Sequence, residues 1–192
     1  MQKIMYDDKR ELTRSVIEKI KQRTAREEMK DAVKIVKQLA CGVVYEDAQG
    51  NEVYHKFRYK VGEVVAVAQP YKIAINEPDG AGILLCKDTA GWTNKMFVES
   101  RLMPHRVQIT DIKVQRLQDI SDEDCLLEGI VEYKNGTYGT LNNALFNGFG
   151  FSHKWFFFKP RTAFMFLINA ISGKGTWERN NYHVIYYFKL IK

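Results

Sequence analysis

The chain has 192 residues, 45% of them hydrophobic and 27% charged, with a net charge of +6 at neutral pH. That balance excludes an intrinsically disordered segment and is enough to bury a core without disulfide or metal staples. No apolar run approaches the roughly 20 residues needed to span a bilayer, and the first eight residues, Met-Gln-Lys-Ile-Met-Tyr-Asp-Asp, lack the apolar stretch and cleavage site of a signal peptide.

In chain order, residues 8–20 read as a helix capped by Asp8, with Leu12, Val16 and Ile20 at four-residue spacing on one face. The polar run 21–30 is either a loop or a continuation of that helix. Ala32, Val33, Ile35 and Val36 form an apolar segment of open type. Residues 43–45 and 53–59, rich in β-branched and aromatic residues, flank the turn sequence Glu-Asp-Ala-Gln-Gly-Asn and predict a β-hairpin. Residues 61–68 follow as a buried strand opened by Gly62. Residues 69–100 hold Pro70, Pro78, Gly80, Gly82 and Gly91 and read as a long irregular loop of the kind that is either functional or mobile.

Residues 107–117 alternate as a strand, but the apolar positions change parity near Asp111, which predicts a bulge or bend. Ser121 is placed to cap a short helix whose first turn holds Asp122, Glu123 and Asp124, and Gly129 ends it. Residues 134–152, rich in Gly and Asn, read as a loop. Pro160 opens a helix that buries Phe164, Leu167, Ile168 and Ile171 and stops at Gly173. Residues 182–191 form a closing strand. Strands mixed irregularly with helices predict an α+β fold and not a parallel α/β sheet. One domain covering residues 1–192 is expected.

The three cysteines, Cys41, Cys86 and Cys125, are far apart, without a C-x-x-C pair. They are expected to be free thiols. The four histidines, His55, His105, His153 and His183, are equally scattered, so neither a metal site nor a cofactor is expected. The positive charge attracts phosphate without specifying nucleic acid. With no span and no leader in evidence, a cytoplasmic protein is expected.

Four stretches resemble the ASCH family of the PUA-like superfamily, in its prophage-type members. Residues 12–26 carry Lys21, Thr24 and Arg26 of the signature G-x-K-x-x-T-x-R, with Lys19 where the glycine belongs. Residues 59–65, Tyr-Lys-Val-Gly-Glu-Val-Val, resemble the family's x-x-G-D-V-L strand. Residues 109–129 include Arg-Leu-Gln-Asp-Ile-Ser-Asp-Glu-Asp and then Glu128-Gly129, and residues 164–188 include Ile-Ser-Gly-Lys-Gly-Thr-Trp. The resemblance implies a small, partly open β-barrel with flanking helices. The second stretch ends in Ala68-Gln69, where many relatives place an Arg-Glu pair in the cleft.

The resemblance also implies chemistry. Small bacterial members that hydrolyse N4-acetylcytidine carry a Lys, Thr and Glu triad, whose positions fall on Lys21, Thr24 and Glu128. A threonine hydroxyl is a weak nucleophile until a base takes its proton, and a desolvated lysine serves as that base. Glu128 then orients the lysine or protonates the leaving amine. The competing reading is structural: Lys21 and Glu128 form an ion pair across the cleft and Thr24 caps a turn. A second set, Lys21, Arg23 and Arg26 with Tyr71, Trp92 and Lys95, combines cations for phosphate with rings that either stack on bases or lie in the core beneath the loop. It points to an RNA- or nucleotide-binding cleft. Amidohydrolase action on an acylated cytidine, and ribonuclease action, are the alternatives. The aromatic run Trp155 to Phe158 is expected in the core or against a protein partner. Gly148, Gly150, Gly173 and Gly175 fit no phosphate loop and read as turn residues.

Overall fold

The computed structural model describes residues 1–78, 80–141 and 157–191. Ten strands and five α-helices make an α+β fold among them. The main sheet takes the order β1 (Lys3–Ile4), β6 (Val64–Val67), β7 (Arg106–Arg116), β10 (Tyr182–Leu190) and β2 (Arg23–Met29). Only the β1–β6 pair is parallel. A separate antiparallel meander holds β3 (Lys34–Leu39), β4 (Gly42–Glu46) and β5 (Glu52–Lys56), and a third sheet pairs β8 (Ile130–Glu132) with β9 (Tyr138–Thr140). None of these sheets closes on itself as a barrel among the described residues.

The expected first helix is shorter than its spacing suggested. The 3-10 turn Asp8–Arg10 comes first, Glu11 takes a positive φ of 58°, and α1 spans Leu12–Ile17. Asp7 and not Asp8 caps the turn, accepting from the Lys9 amide. Asp8 instead accepts from the Thr13 hydroxyl and from Lys95. Leu12 and Val16 are buried, but Ile20 lies beyond the helix. The chain reverses at Lys19, which adopts φ 60° while the amides of Ile20 and Lys21 both donate to the Ser15 carbonyl at 2.8 and 2.9 Å. The run 21–30 is neither loop nor helix; most of it is β2, paired with β10 on one side. Its alternating charges concealed a strand because both of its faces carry polar side chains.

The predicted hairpin forms, with Val44 opposite Tyr54 and the Asp47 carboxylate closing the turn on the amides of Gln49 and Asn51. The bulge expected near Asp111 is present. Tyr187 pairs with Asp111 and Phe188 with Ile109, leaving Thr110 as the extra residue. A second bulge leaves Glu27 between Arg26 and Glu28, at φ 38°. These devices rotate side chains between faces, so one strand serves both a core and a pocket.

The stretch 69–100 is not loose. It contains α2 (Tyr71–Ala74) and a series of 3-10 turns around a small core of its own, Ala66, Ala68, Tyr71, Ala74, Ile83, Val98 and Met103. The larger core lies between the main sheet and α4 (Pro160–Ser172), where Val107, Ile109, Val184 and Phe188 are buried along with Phe164 and Leu167 of the helix. Each such side chain contributes about 1.5–3 kcal/mol by leaving water. Ile171 departs from the expectation of burial, standing 41% exposed near the helix end.

Ser121 caps α3 (Asp122–Leu127) by accepting from the Asp124 amide at 3.1 Å, as its position predicts. After α4 comes α5 (Thr176–Arg179). Of the expected loop 134–152, the first part contains β9, while residues 142–156, including Gly148, Gly150, Trp155 and Phe156, lie outside the described residues. Phe157 is buried and Phe158 is exposed. Among the described residues no helix is long and apolar enough to cross a membrane.

Candidate active site

The start of β2 and the end of α3 are laced together. The Gln22 amide donates to the Leu127 carbonyl at 2.8 Å. Gly129, at φ 98°, turns the chain directly after Glu128, and a Cβ there would stand 3.3 Å from Leu12 and 3.6 Å from the Lys21 side chain. Lys21 and Glu128, 107 residues apart in sequence, are thereby pressed together.

Glu128 is the hub of this site and is itself buried. Its Oε2 accepts from Lys21 Nζ at 2.7 Å, and its backbone carbonyl accepts from the same nitrogen at 2.6 Å. Its Oε1 accepts from Arg23 Nη1 at 2.7 Å and from the Ala25 amide at 2.8 Å. Arg23 also reaches Tyr187 and lies 3.7 Å from the Asp124 carboxylate. Lys21 and Arg23 thus share one buried carboxylate, an arrangement tolerated because both of its oxygens accept hydrogen bonds, three in all.

The electrostatics separate the two cations. Desolvation by burial lowers the pKa of Lys21 below its ordinary value, although Glu128 opposes the shift. Burial also works against the charge on Arg23, but Glu128, Tyr187 and Asp124 together more than offset it, and its pKa is raised. Lys21 is therefore the titratable member of the cluster. A neutral lysine amine has two N–H donors and one lone pair. Both donors have acceptors on Glu128, which leaves the lone pair for another group.

A pocket of about 250 Å³ opens over this cluster, lined by Tyr6, Lys21, Thr24, Arg26, Glu128 and His183, with Leu167 and Ile171 of α4 on its apolar side. Thr24 is buried at 4% exposure, and among the described residues no group hydrogen-bonds its hydroxyl. The Tyr6 hydroxyl is also buried and has no hydrogen-bond partner among the described residues. Burial pushes its pKa up, so the hydroxyl keeps its proton. Its ring sits under Arg26 at 5.2 Å and Lys21 at 5.9 Å. His183 is buried, and burial lowers its pKa. Its Nδ1–H donates to the Asn181 carbonyl at 3.0 Å, which leaves Nε2 as an acceptor.

The structure brings Lys21, Thr24 and Glu128 to one pocket, with Arg23 beneath it and Arg26 on its wall. It does not bring Tyr71, Trp92 and Lys95 there. Tyr71 is buried at 2% exposure, its hydroxyl accepting from the Glu99 amide at 2.8 Å. Trp92 is half-buried and packs against the same small core. These rings lie apart from the pocket because the segment that carries them folds on its own apolar residues. Lys95 binds the Tyr6 carbonyl and pairs with Asp8 at 2.7 Å, tying that segment to the turn before α1. Gln69 lines a different cavity, beside Arg14 and Ile73.

Tyr6 and His183 are the pocket residues that sequence reasoning missed. No local pattern marks either: Tyr6 stands in a short polar stretch, and His183 follows Tyr182 in an aromatic-rich strand. Cys125 is buried, and desolvation pushes its thiol up to about 12, so it is no nucleophile at neutral pH. Among the described residues no three His, Cys, Asp or Glu side chains group to hold a metal ion. Family models, curated proteins and solved structures offer no match to this chain.

Proposed function

We propose that this chain is an ASCH-type, PUA-like domain whose pocket hydrolyses the exocyclic amide of an N4-acylated cytidine. The observation that carries the reading is the meeting of a desolvated Lys21, an unpartnered Thr24 hydroxyl and Glu128 in one pocket. At about 250 Å³ that pocket lies just under the range of drug-sized sites and suits a single nucleoside.

In this mechanism neutral Lys21 takes the proton of the Thr24 hydroxyl as the oxygen attacks the amide carbonyl carbon. The carbonyl π pair moves to oxygen, and the Tyr6 hydroxyl donates to the resulting oxyanion. The nearby backbone amides of Gln22 and Ala25 are already engaged by Leu127 and Glu128. Collapse breaks the C–N4 bond, and the Lys21 ammonium returns its proton to the departing amine. Water, activated by Lys21 in the same way, then hydrolyses the threonine ester to release the carboxylic acid. Glu128 makes every contact as an acceptor, so its role is to orient Lys21.

The test is release of cytidine from N4-acetylcytidine by wild type, Lys21→Ala, Thr24→Val and Glu128→Gln. Turnover by wild type that is lost in the first two variants supports the reading. No turnover by wild type defeats the substrate class, and turnover surviving in Lys21→Ala and Thr24→Val defeats the residues. A polynucleotide-binding surface built on Tyr71 and Trp92 has less support, because both rings pack into the small core.

A further inference from the structure

The pocket has a neighbour with a different chemistry. A smaller cavity of about 110 Å³ is lined by Lys3, Ile4, Met5, Arg26, Glu27, Arg58 and Tyr59. Arg26 and Glu27 belong to both cavities and form the wall between them. Three cations therefore face the smaller cavity against one carboxylate.

That carboxylate is already engaged. Glu27 Oε2 lies 2.9 Å from His55 Nε2, and Oε1 accepts from the Tyr186 hydroxyl and the Arg58 amide. Among the described residues none of Lys3, Arg26 and Arg58 has a carboxylate within ion-pair distance, whereas Arg10, Arg14, Arg23, Arg101 and Arg179 each have one. Lys3 lines this cavity and a neighbouring one that it shares with Arg58 and Val98, and its Nζ donates to the carbonyls of Met96 and Val98, the latter at 2.8 Å. Arg26 is held by the Met5 carbonyl at 2.6 Å, and its buried Nε has no hydrogen-bond partner. The exposed Arg58 guanidinium lies over the Tyr59 ring at 5.6 Å. Positioned cations without counter-ions, one with an open donor, are what a phosphate needs. The cavity has several times the roughly 30 Å³ that one water occupies in the liquid, so a phosphoryl group fits.

We propose that this cavity binds the terminal phosphate of a nucleotide whose base occupies the larger pocket, making a phosphorylated nucleoside the ligand. This rests on the nucleoside reading of that pocket. Arg26 is the positioning residue between the two halves, and Lys3 and Arg58 complete the anion subsite.

Calorimetric titration with cytidine, CMP, inorganic phosphate and the dinucleotide CpA tests it, alongside turnover of N4-acetylcytidine and its 5′-phosphate. CMP is expected to bind about tenfold or more tightly than cytidine, with phosphate competing and with the advantage fading at high salt. Arg58→Ala, at an exposed residue, and Lys3→Met are each expected to reduce CMP affinity to the cytidine level and leave cytidine affinity unchanged. Equal affinity for CMP and cytidine, or a CMP advantage that survives Arg58→Ala, overturns the subsite. Tighter binding of CpA than of CMP overturns the terminal-phosphate assignment. The two readings fail separately. Turnover of N4-acetylcytidine without any gain from its phosphate sinks only the subsite. Arg58-dependent binding of phosphate without turnover of either substrate sinks only the hydrolase.

Discussion

Lys21 Nζ donates both to the Glu128 carboxylate at 2.7 Å and to the Glu128 backbone carbonyl at 2.6 Å, so one residue fixes the lysine twice. A side chain held by the carboxylate alone could follow it from rotamer to rotamer. The second acceptor belongs to the backbone at the end of α3 and does not move with the side chain. The position of the lysine nitrogen is thus set by the fold.

Glu128 should accordingly be the most sensitive residue of the pocket for stability. Glu128→Ala leaves Lys21 and Arg23 buried without a shared partner, and breaking a buried pair costs about 3–5 kcal/mol. Lys21→Met removes the more desolvated cation but leaves Glu128 with Arg23 and the Ala25 amide, and should cost only about 1–3 kcal/mol. Urea denaturation of the two variants checks the order. A Lys21→Met loss as large as that of Glu128→Ala would contradict the hub role of the carboxylate.

The lowered pKa of Lys21 sets the direction of two pH effects. The proposed hydrolysis requires the neutral amine, so kcat/KM should rise with pH to an inflection below 10.5, and Lys21→Arg should be inactive because a guanidinium does not deprotonate. Stability follows the same sign. Between the folded pKa and 10.5 the unfolded chain binds one more proton at this position, so unfolding free energy rises with pH across that window. The rise should be smaller in Lys21→Met. A wild-type rate that falls with increasing pH in this range would rule out Lys21 as the base.

Lys19 stands where the resembled signature has glycine, and it adopts φ 60°. The left-handed region costs a residue with a Cβ about 1–2 kcal/mol, and glycine almost nothing. Glycine loses more freedom on folding, which returns part of that gain. Lys19→Gly should therefore stabilise by about 0.5–1 kcal/mol and leave the pocket geometry intact. Thermal unfolding reads this, and a lowered midpoint would show that the lysine makes a compensating contact.

Much of this architecture was legible in the residues. The hairpin of β4 and β5, the Ser121 cap, the bulge opposite Tyr187 and the closing strand follow from alternation, capping chemistry and parity. The charged run at 21–30 hid a strand because β2 faces a pocket, so its inward side chains are Thr24 and Arg26 and not aliphatics. The packed segment 69–100 was hidden differently: its apolar residues follow no helical or strand period, because 3-10 turns set their directions. Lys21, Thr24 and Glu128 were singled out through a resemblance. Tyr6 and His183 reach the pocket only through long-range pairing, β10 bringing His183 opposite Glu28 of β2.

His183 gives the chain an acid-sensitive point. Burial lowers its pKa from 6.5, so the folded state holds it neutral while the unfolded chain protonates as pH falls through that value. The unfolded state then binds more protons, and stability present above pH 6.5 is lost from there down to the folded pKa. His183→Gln, which retains a donor for the Asn181 carbonyl, should show a flatter stability profile between pH 7.5 and pH 5. Chemical denaturation at the two values decides it, and identical slopes in variant and wild type would assign the acid response elsewhere.

Gly129 controls the site from outside it. Its φ of 98° is a conformation that side chains with a Cβ rarely adopt, so Gly129→Ala is strained before any contact is considered. The added methyl also meets Leu12 at 3.3 Å, tighter than ordinary packing, and touches Lys21 at 3.6 Å. Two responses are open to the chain. If the backbone holds its shape, the variant carries the strain as a loss of about 1–3 kcal/mol, with Lys21 in place. If the backbone relaxes, the Glu128 carbonyl turns away from Lys21 and the lysine loses its fixed acceptor. The close packing of Leu12 under α3 favours relaxation, because Leu12 is buried in the main core and cannot withdraw. Gly129→Ala should therefore lose stability and lower kcat more than it raises KM, since in the proposed mechanism the misdirected group is the base and not the binding wall. Steady-state kinetics on N4-acetylcytidine with parallel urea denaturation separates the cases: lost stability with unchanged kcat would show that the turn holds and that Glu128 aims Lys21 through its carboxylate alone.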